Sequence, residues 1–284
     1  MIPSKSMVCV AGMACLLVST PHHATADVIE IVASRDNTLY EASAGTLSNG
    51  SGQYVFAGRT LRNSSRYRRA LLYFDVSVIP AGAQIADASL RLYMSQTIAG
   101  DVPVTLHRVT RAWGEGASMA GGGEGSGGDA EPGDATWLHT FYRGTFWTNP
   151  GGDFDPSPIA GIQVDGDGFY TWATNASMVL MVNDWIATPN QNFGLLVLGD
   201  ESTNGTTKRF DSRENITVAN RPTLIVTYTL CTPDFNRDGF LDFTDFDAFV
   251  AAFEAGTSEA DFNGDGFLDF TDFDAFVGAF EAGC

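Results

Sequence analysis

Near the C-terminal end, Asp234-Phe-Asn-Arg-Asp-Gly-Phe-Leu-Asp-Phe-Thr-Asp245 returns 27 residues later as Asp261-Phe-Asn-Gly-Asp-Gly-Phe-Leu-Asp-Phe-Thr-Asp272. Counted from the first Asp of each copy, side-chain oxygens fall at loop positions 1, 3, 5, 9 and 12, with Gly at position 6. A hard cation such as Ca2+ gathers oxygen ligands, and this spacing wraps a short loop around one ion in the manner of an EF-hand loop. The expected side-chain ligands of a first ion are Asp234, Asn236, Asp238, Asp242 and Asp245, joined by the backbone carbonyl of Phe240. Those of a second are Asp261, Asn263, Asp265, Asp269 and Asp272, joined by the carbonyl of Phe267. Gly239 and Gly266 permit a sharp turn that a Cβ would resist.

The flanks refine this reading. An EF-hand carries a helix on both sides of its loop, but Cys231-Thr232-Pro233 runs straight into the first loop, and Pro233 opposes a helix there. After the loops, Phe246, Phe249, Val250 and Phe253 repeat at helical spacing, as do Phe273, Phe276, Val277 and Phe280. Gly256 and Gly283 are placed to end these helices. Leu241 and Leu268 are expected to pair as a short ladder between the loops. Each repeat thus reads as a loop plus an exiting helix, and two of them form a small domain over 231–284. So small a core needs staples, here two ions and a cross-link.

The rest of the chain sets the compartment. Residues 1–26 read as a signal peptide: Lys5 is the basic start, Met7 to Val18 a short apolar stretch, and Ala24-Thr25-Ala26 a small-x-small cleavage site. Gly12-Met13-Ala14 before Cys15 fits a lipid-attachment box poorly. The expectation is an exported protein, secreted or held at the cell surface, without a membrane span. Loss of the leader leaves two cysteines, Cys231 and Cys284, which bracket the paired loops. In an oxidising compartment they read as a disulfide. Two free thiols, or a processing signal at Gly283-Cys284, are the alternatives. The formal net charge is -18, and residues 231–284 hold ten Asp and three Glu against one Arg. Such acidity argues against nucleic acid as a partner and couples folding of the tail to metal.

With these features in place, residues 232–283 resemble a dockerin, the module that plugs into cohesin domains on extracellular polysaccharide-degrading assemblies. Asp at position 12 agrees with that family. The resemblance implies two Ca2+ ions and a cohesin-like protein partner. This chain departs from one common pattern of the family: Phe243-Thr244 and Phe270-Thr271 stand at positions 10 and 11, and no basic pair follows on either helix.

Residues 27–230 lack long helical periodicity. Short β-branched or alternating runs at 70–76, 88–94, 102–109, 193–198 and 223–230 read as strands. One helix is expected over 177–187, with Met178, Met181, Val182 and Trp185 as its apolar stripe and Pro189 as its stop. The Gly-rich stretch 114–136 reads as a long surface loop. The fold class is therefore mainly β, a jelly-roll-like β-sandwich followed by a small α tail.

The same region resembles the DNRLRE family of exported bacterial modules, related to carbohydrate-binding modules. The resemblance rests on Asp36-Asn-Thr-Leu-Tyr-Glu41, Arg69-Ala-Leu-Leu-Tyr-Phe-Asp-Val, Val109-Thr-Arg-Ala-Trp-Gly-Glu-Gly and Lys208-Arg-Phe-Asp-Ser-Arg-Glu. It implies a jelly roll and, for some members, polysaccharide binding. It carries over no catalytic residue.

The residues themselves offer no reaction centre. After the leader the only histidines are His107 and His139, and there is no nucleophile elbow or phosphate-binding loop. Asp153, Asp155, Asp165 and Asp167 sit among Gly and Pro, where turn chemistry accounts for them better than a glycosidase pair or a structural calcium site. Arg209, Asp211, Arg213 and Glu214 read as an ion-pair network. Flat aromatic rings are the usual platform for a sugar face, and Trp113, Trp137, Tyr142, Trp147 and Trp172 are the candidates. The functional expectation is a non-catalytic, exported binding protein for an extracellular polysaccharide, attached through its calcium-dependent tail. A polysaccharide lyase or glycoside hydrolase, or a structural surface protein without glycan affinity, are the competing classes.

Overall fold

The computed structural model describes residues 26–64 and 66–284, so the signal-peptide reading lies, apart from Ala26, outside the described residues. The chain opens with β1 (Asp27–Val32), β2 (Arg35–Tyr40), β3 (Leu47–Ser48), β4 (Tyr54–Arg59) and β5 (Tyr67–Tyr73). It continues through β6 (Ala83–Thr97), β7 (Val102–Arg108), β8 (Gly128–Asp129), β9 (His139–Phe141), β10 (Thr145–Phe146), β11 (Ala160–Val164) and β12 (Gly168–Trp172). Helix α1 (Ala176–Ala187) precedes β13 (Leu195–Gly199), β14 (Lys208–Asp211) and β15 (Thr223–Leu230). Helices α2 (Phe243–Ala255) and α3 (Phe270–Ala282) complete the described chain. The described residues are mainly β, with one large antiparallel sheet and three α-helices among them.

The sheet runs β1-β15-β6-β14-β4-β5-β13-β7-β11, with β12 also on β6 and β2 also on β5. It curls, because residues from both halves meet in one core: Leu90, Leu92, Met94, Phe210, Leu224 and Val226 from one half, Leu72, Val104, Leu106, Leu195 and Val197 from the other. Trp172 and the α1 stripe Met178, Met181, Val182 and Trp185 join that core. The helix starts where the Asn175 side chain accepts the amides of Ser177 and Met178.

A second apolar cluster lies on the outer face of β5 and β13. Leu71 and Leu196 point there, while their neighbours Leu72, Leu195 and Val197 point to the main core. Burial on both faces explains why these strands read as continuous apolar runs rather than alternating ones. The layer that covers this outer face includes Trp113, Ala135, Trp137 and Trp147. The Gly-rich stretch is therefore more than a surface loop. It carries buried Ser118, Ala120, Glu124, Asp134 and Ala135, and the Glu124 carboxylate accepts from Asn49 Nδ2 at 2.9 Å and from the amides of Gln53 and Tyr54 at 3.1 and 3.0 Å. Its glycines serve close approach: a Cβ on Gly114 would lie 1.9 Å from the carbonyl oxygen of Gly133.

The tail has a core of its own, built almost wholly of phenylalanine. The rings of Phe249 and Phe276, one from each repeat, stack at 4.1 Å with planes 5° apart. Phe235 and Phe262 meet both rings edge-on. A disulfide joins Cys231 to Cys284, with 5.2 Å between their Cα atoms. Gly256 ends α2 in the left-handed region at φ 68°.

Candidate functional site

The two tail loops close on themselves through their own carboxylates. In the first, Asp234 is buried and accepts the amides of Asp238 at 3.1 Å and Gly239 at 2.9 Å. Fully buried Asp245 reaches back to accept the amides of Asn236 at 3.1 Å and Asp242 at 2.9 Å. The carboxylates of Asp234 and Asp245 are thereby turned into the loop, while the side chains of Asn236, Asp238 and Asp242 stay exposed. Asn236 and Asp238 accept the amides two residues on, and Asp242 caps α2 through Thr244.

The second loop repeats the pattern. Asp261 accepts Gly266 N, Asp272 accepts Asn263 N and Asp269 N, Asn263 accepts Asp265 N, Asp265 accepts Phe267 N, and Asp269 caps α3 through Thr271. One oxygen of Asp261, Oδ1, is buried without a partner. Gly239 and Gly266 take φ of 90° and 86° at position 6. Burial, then the nearby carboxylates of Asp245 and Asp238, raises the Asp234 pKa above the usual carboxylate value. The carbonyls of Phe240 and Phe267 belong to the same loops, but their rings point outward, 72% and 73% exposed. No β-bridge joins Leu241 to Leu268 among the described residues, so the expected ladder between the loops is absent; Leu268 instead packs against the phenylalanine core.

The aromatic candidates for a sugar platform fare differently. Trp113 and Trp172 are 1% and 0% exposed, and Trp147 and Trp137 are also buried. Their indole N–H groups are in use where they are deepest: Trp113 donates to the Phe193 carbonyl, Trp147 to that of Thr136, and Trp172 to that of Val104. These four rings are core and offer no open face for stacking. Tyr142 is partly exposed and sits edge-on to His139. The rings that do face solvent on the sheet side include Phe169, edge-on to Tyr93, and Phe146.

The other polar groups singled out in the sequence hold the fold. His107 is buried between the Thr105 hydroxyl and the Asp155 carbonyl. Asp153 accepts the amides of Thr148 and Asn149, and Asp155 that of Ser157, as turn residues do. Arg209 lies 3.9 Å from the Tyr54 ring centre, and Asp211 accepts from Asn220. Arg213 is the true ion-pair centre: it meets Glu115 through two nitrogens at 2.6 and 2.8 Å and Glu214 at 2.8 Å.

That arginine marks a cluster that sequence reading missed. Asp36, Glu115 and Glu214 each place one carboxylate oxygen within 4.8 Å of the other two. Asp36 is fully buried; burial first, then the charges of Glu214 and Glu115, pushes its pKa well up. Burial also raises Glu214, to about 7. The three residues come from separate stretches of chain, so no local spacing announced them.

No family model matches the chain, and no curated protein does. Among solved structures, a chain from the crystal structure of the T13 IBDV viral particle aligns at 11% identity and a TM-score of 0.18, over 78% of this chain and 39% of that one. This chain thus spans about two fifths of the viral one, and a likeness so faint carries no argument. Among the described residues no helix is long and apolar enough to cross a membrane.

Proposed function

We propose that the chain is an exported, non-catalytic protein in which a jelly-roll-like β-sandwich binds an extracellular polysaccharide and a dockerin-like tail binds two Ca2+ ions and docks on a cohesin-like protein. The observation that carries this reading is the tail: two loops of the same hydrogen-bond pattern, each with its position-12 aspartate buried and accepting amides of its own loop, on helices locked face to face. Oxygen-only ligand sets of this kind suit Ca2+. At positions 7 and 10 each repeat also exposes two rings, Phe240 with Phe243 and Phe267 with Phe270, all at least 72% exposed. Such paired apolar groups on a charged module mark a protein-binding surface.

Calcium titration of the full chain tests the metal. Helical circular dichroism and protection of the tail from protease are expected to rise with calcium and fall with chelator, while the sheet signal holds. A tail indifferent to calcium sinks the assignment. Docking is tested with Phe243→Ser and Phe270→Ser together, which should abolish capture of a cohesin partner and leave the fold intact.

For the polysaccharide, support comes from the family resemblance and from a surface groove of about 500 Å³ lined by Phe56, Leu61, Arg62, Gln96, Glu124 and Arg209. Retention on a panel of insoluble and gel-bound polysaccharides, reduced by Arg62→Ala or Gln96→Ala, is the expected result. The burial of the four candidate tryptophans, Trp113, Trp137, Trp147 and Trp172, favours a second reading, in which the sheet region is a spacer without glycan affinity. Failure to bind any polysaccharide while calcium-dependent docking persists would decide for that one.

A further inference from the structure

Three carboxyl groups, Asp36, Glu115 and Glu214, crowd within 4.8 Å around one guanidinium, that of Arg213, in a largely buried place. The known contacts do not use up their oxygens. Asp36 Oδ2 accepts the Arg213 amide at 2.6 Å, but Oδ1 is buried with no partner at all. Glu115 Oε1 accepts the Asp36 amide and Arg213 Nε, and Oε2 accepts Arg213 Nη2. Glu214 Oε1 meets Arg213 Nη2, and Oε2 has only a long contact with the Ser212 hydroxyl at 3.4 Å. Leaving a buried carboxyl oxygen without a partner is costly, and a bound cation satisfies it.

We propose that Asp36, Glu115 and Glu214 hold a divalent cation of the oxygen-seeking calcium class, a site in the sheet region separate from the two tail loops. The ligand set is oxygen only, which disfavours the softer transition metals. Opposite ligands of a Ca2+ ion stand about 4.6–5.2 Å apart, and the three oxygens here lie within 4.8 Å of one another. Remaining positions face the solvent side through the partly exposed Glu115 and Glu214, where water completes the shell. The ion fastens three distant stretches: strand β2, the Gly-rich segment and the loop after β14. Asn37 already reaches along the same seam, donating to the Glu115 carbonyl at 2.7 Å.

The test uses the full chain with both tail loops disabled by Asp245→Ala and Asp272→Ala, so that calcium bound elsewhere is read directly. By equilibrium dialysis this chain is expected to retain one calcium ion. Residues 231–284 contain neither Trp nor Tyr, so tryptophan fluorescence reports melting of the sheet region alone. That melting is expected to move up in calcium relative to chelator. Adding Glu214→Gln should weaken calcium binding by about tenfold or more, the scale on which metal sites respond to loss of a supporting carboxylate. Should that variant fail to fold, Asp36→Asn on the same background carries the comparison. The site is overturned if the tail-disabled chain retains no calcium, if its tryptophan melting ignores calcium, or if a folded Glu214→Gln chain binds calcium unchanged.

Discussion

The ion-paired carboxylates Glu115 and Glu201 of the sheet region are met by groups from far along the chain, whereas the buried loop carboxylates of the tail are met by amides of their own loop. Glu115 pairs with Arg213 and Glu201 with Arg69, each across many residues of sequence. Asp234 and Asp245, by contrast, find Asp238, Gly239, Asn236 and Asp242. The sheet region encloses its own large apolar core, so its charges tune a structure that burial already holds. Among the described residues the tail buries only Phe249, Ala260 and Phe276 fully as its core and carries many unbalanced acids, so the clasp and the ring stack hold it together.

The largest expected effect that sharpens this contrast is Phe276→Ala. Loss of a buried aromatic costs about 3–5 kcal/mol, which should unfold the tail while the tryptophan melting of the sheet region stays in place. If both regions melt together in that variant, they are one cooperative unit and the contrast fails. Next comes Cys284→Ser, which opens a closed loop with a sequence separation of 53. Disulfides contribute typically about 2–4 kcal/mol, so protease sensitivity of residues 231–284 should rise, most of all in chelator.

How much of this was legible beforehand follows the same division. The two tail helices could be read from local spacing, because their phenylalanine stripes and the glycine that ends α2 are each set within a dozen residues. In the sheet region the strand at 223–230 and the helix ending before Pro189 were equally plain. The 15-residue β6 was not, because it is defined by its partners β15, β12 and β14 and by a register shift opposite Thr227 and Tyr228. Trp113, Trp137 and Trp147 flank Gly- and Pro-rich segments and so read as loop aromatics; only the folding of those segments over β5 and β13 turns them inward, while Trp172 ends β12 and enters the main core. The Asp36, Glu115 and Glu214 cluster is invisible by the same logic: its members meet only after the sheet has closed.

Two smaller effects refine the picture. Arg237 at loop position 4 holds φ of 59°, a left-handed conformation that the second repeat gives to Gly264 at 72°. Arg237→Gly should therefore stabilise the tail by up to about 1 kcal/mol, seen as a small upward shift in its calcium-loaded melting. In the sheet region, burial holds the His107 pKa below its ordinary 6.5. The unfolded chain then binds a proton that the folded one refuses, so stability falls as pH drops through that value and is regained above it. His107→Gln should flatten this slope in tryptophan-monitored melts between acid and neutral pH, and leave the tail unmoved.

The sulfur bridge joins the residue that follows β15 to one two residues beyond α3, so segment 231–284 is fastened at both its ends to one point. Tension applied at Cys284 would run through the sulfurs directly into β15, which lies between β1 and β6, and leave both loops slack. Tension applied through the exposed phenylalanine rims would instead load the ring stack and the ion loops. The direction of pull, more than its strength, would then decide whether the tail holds or gives way.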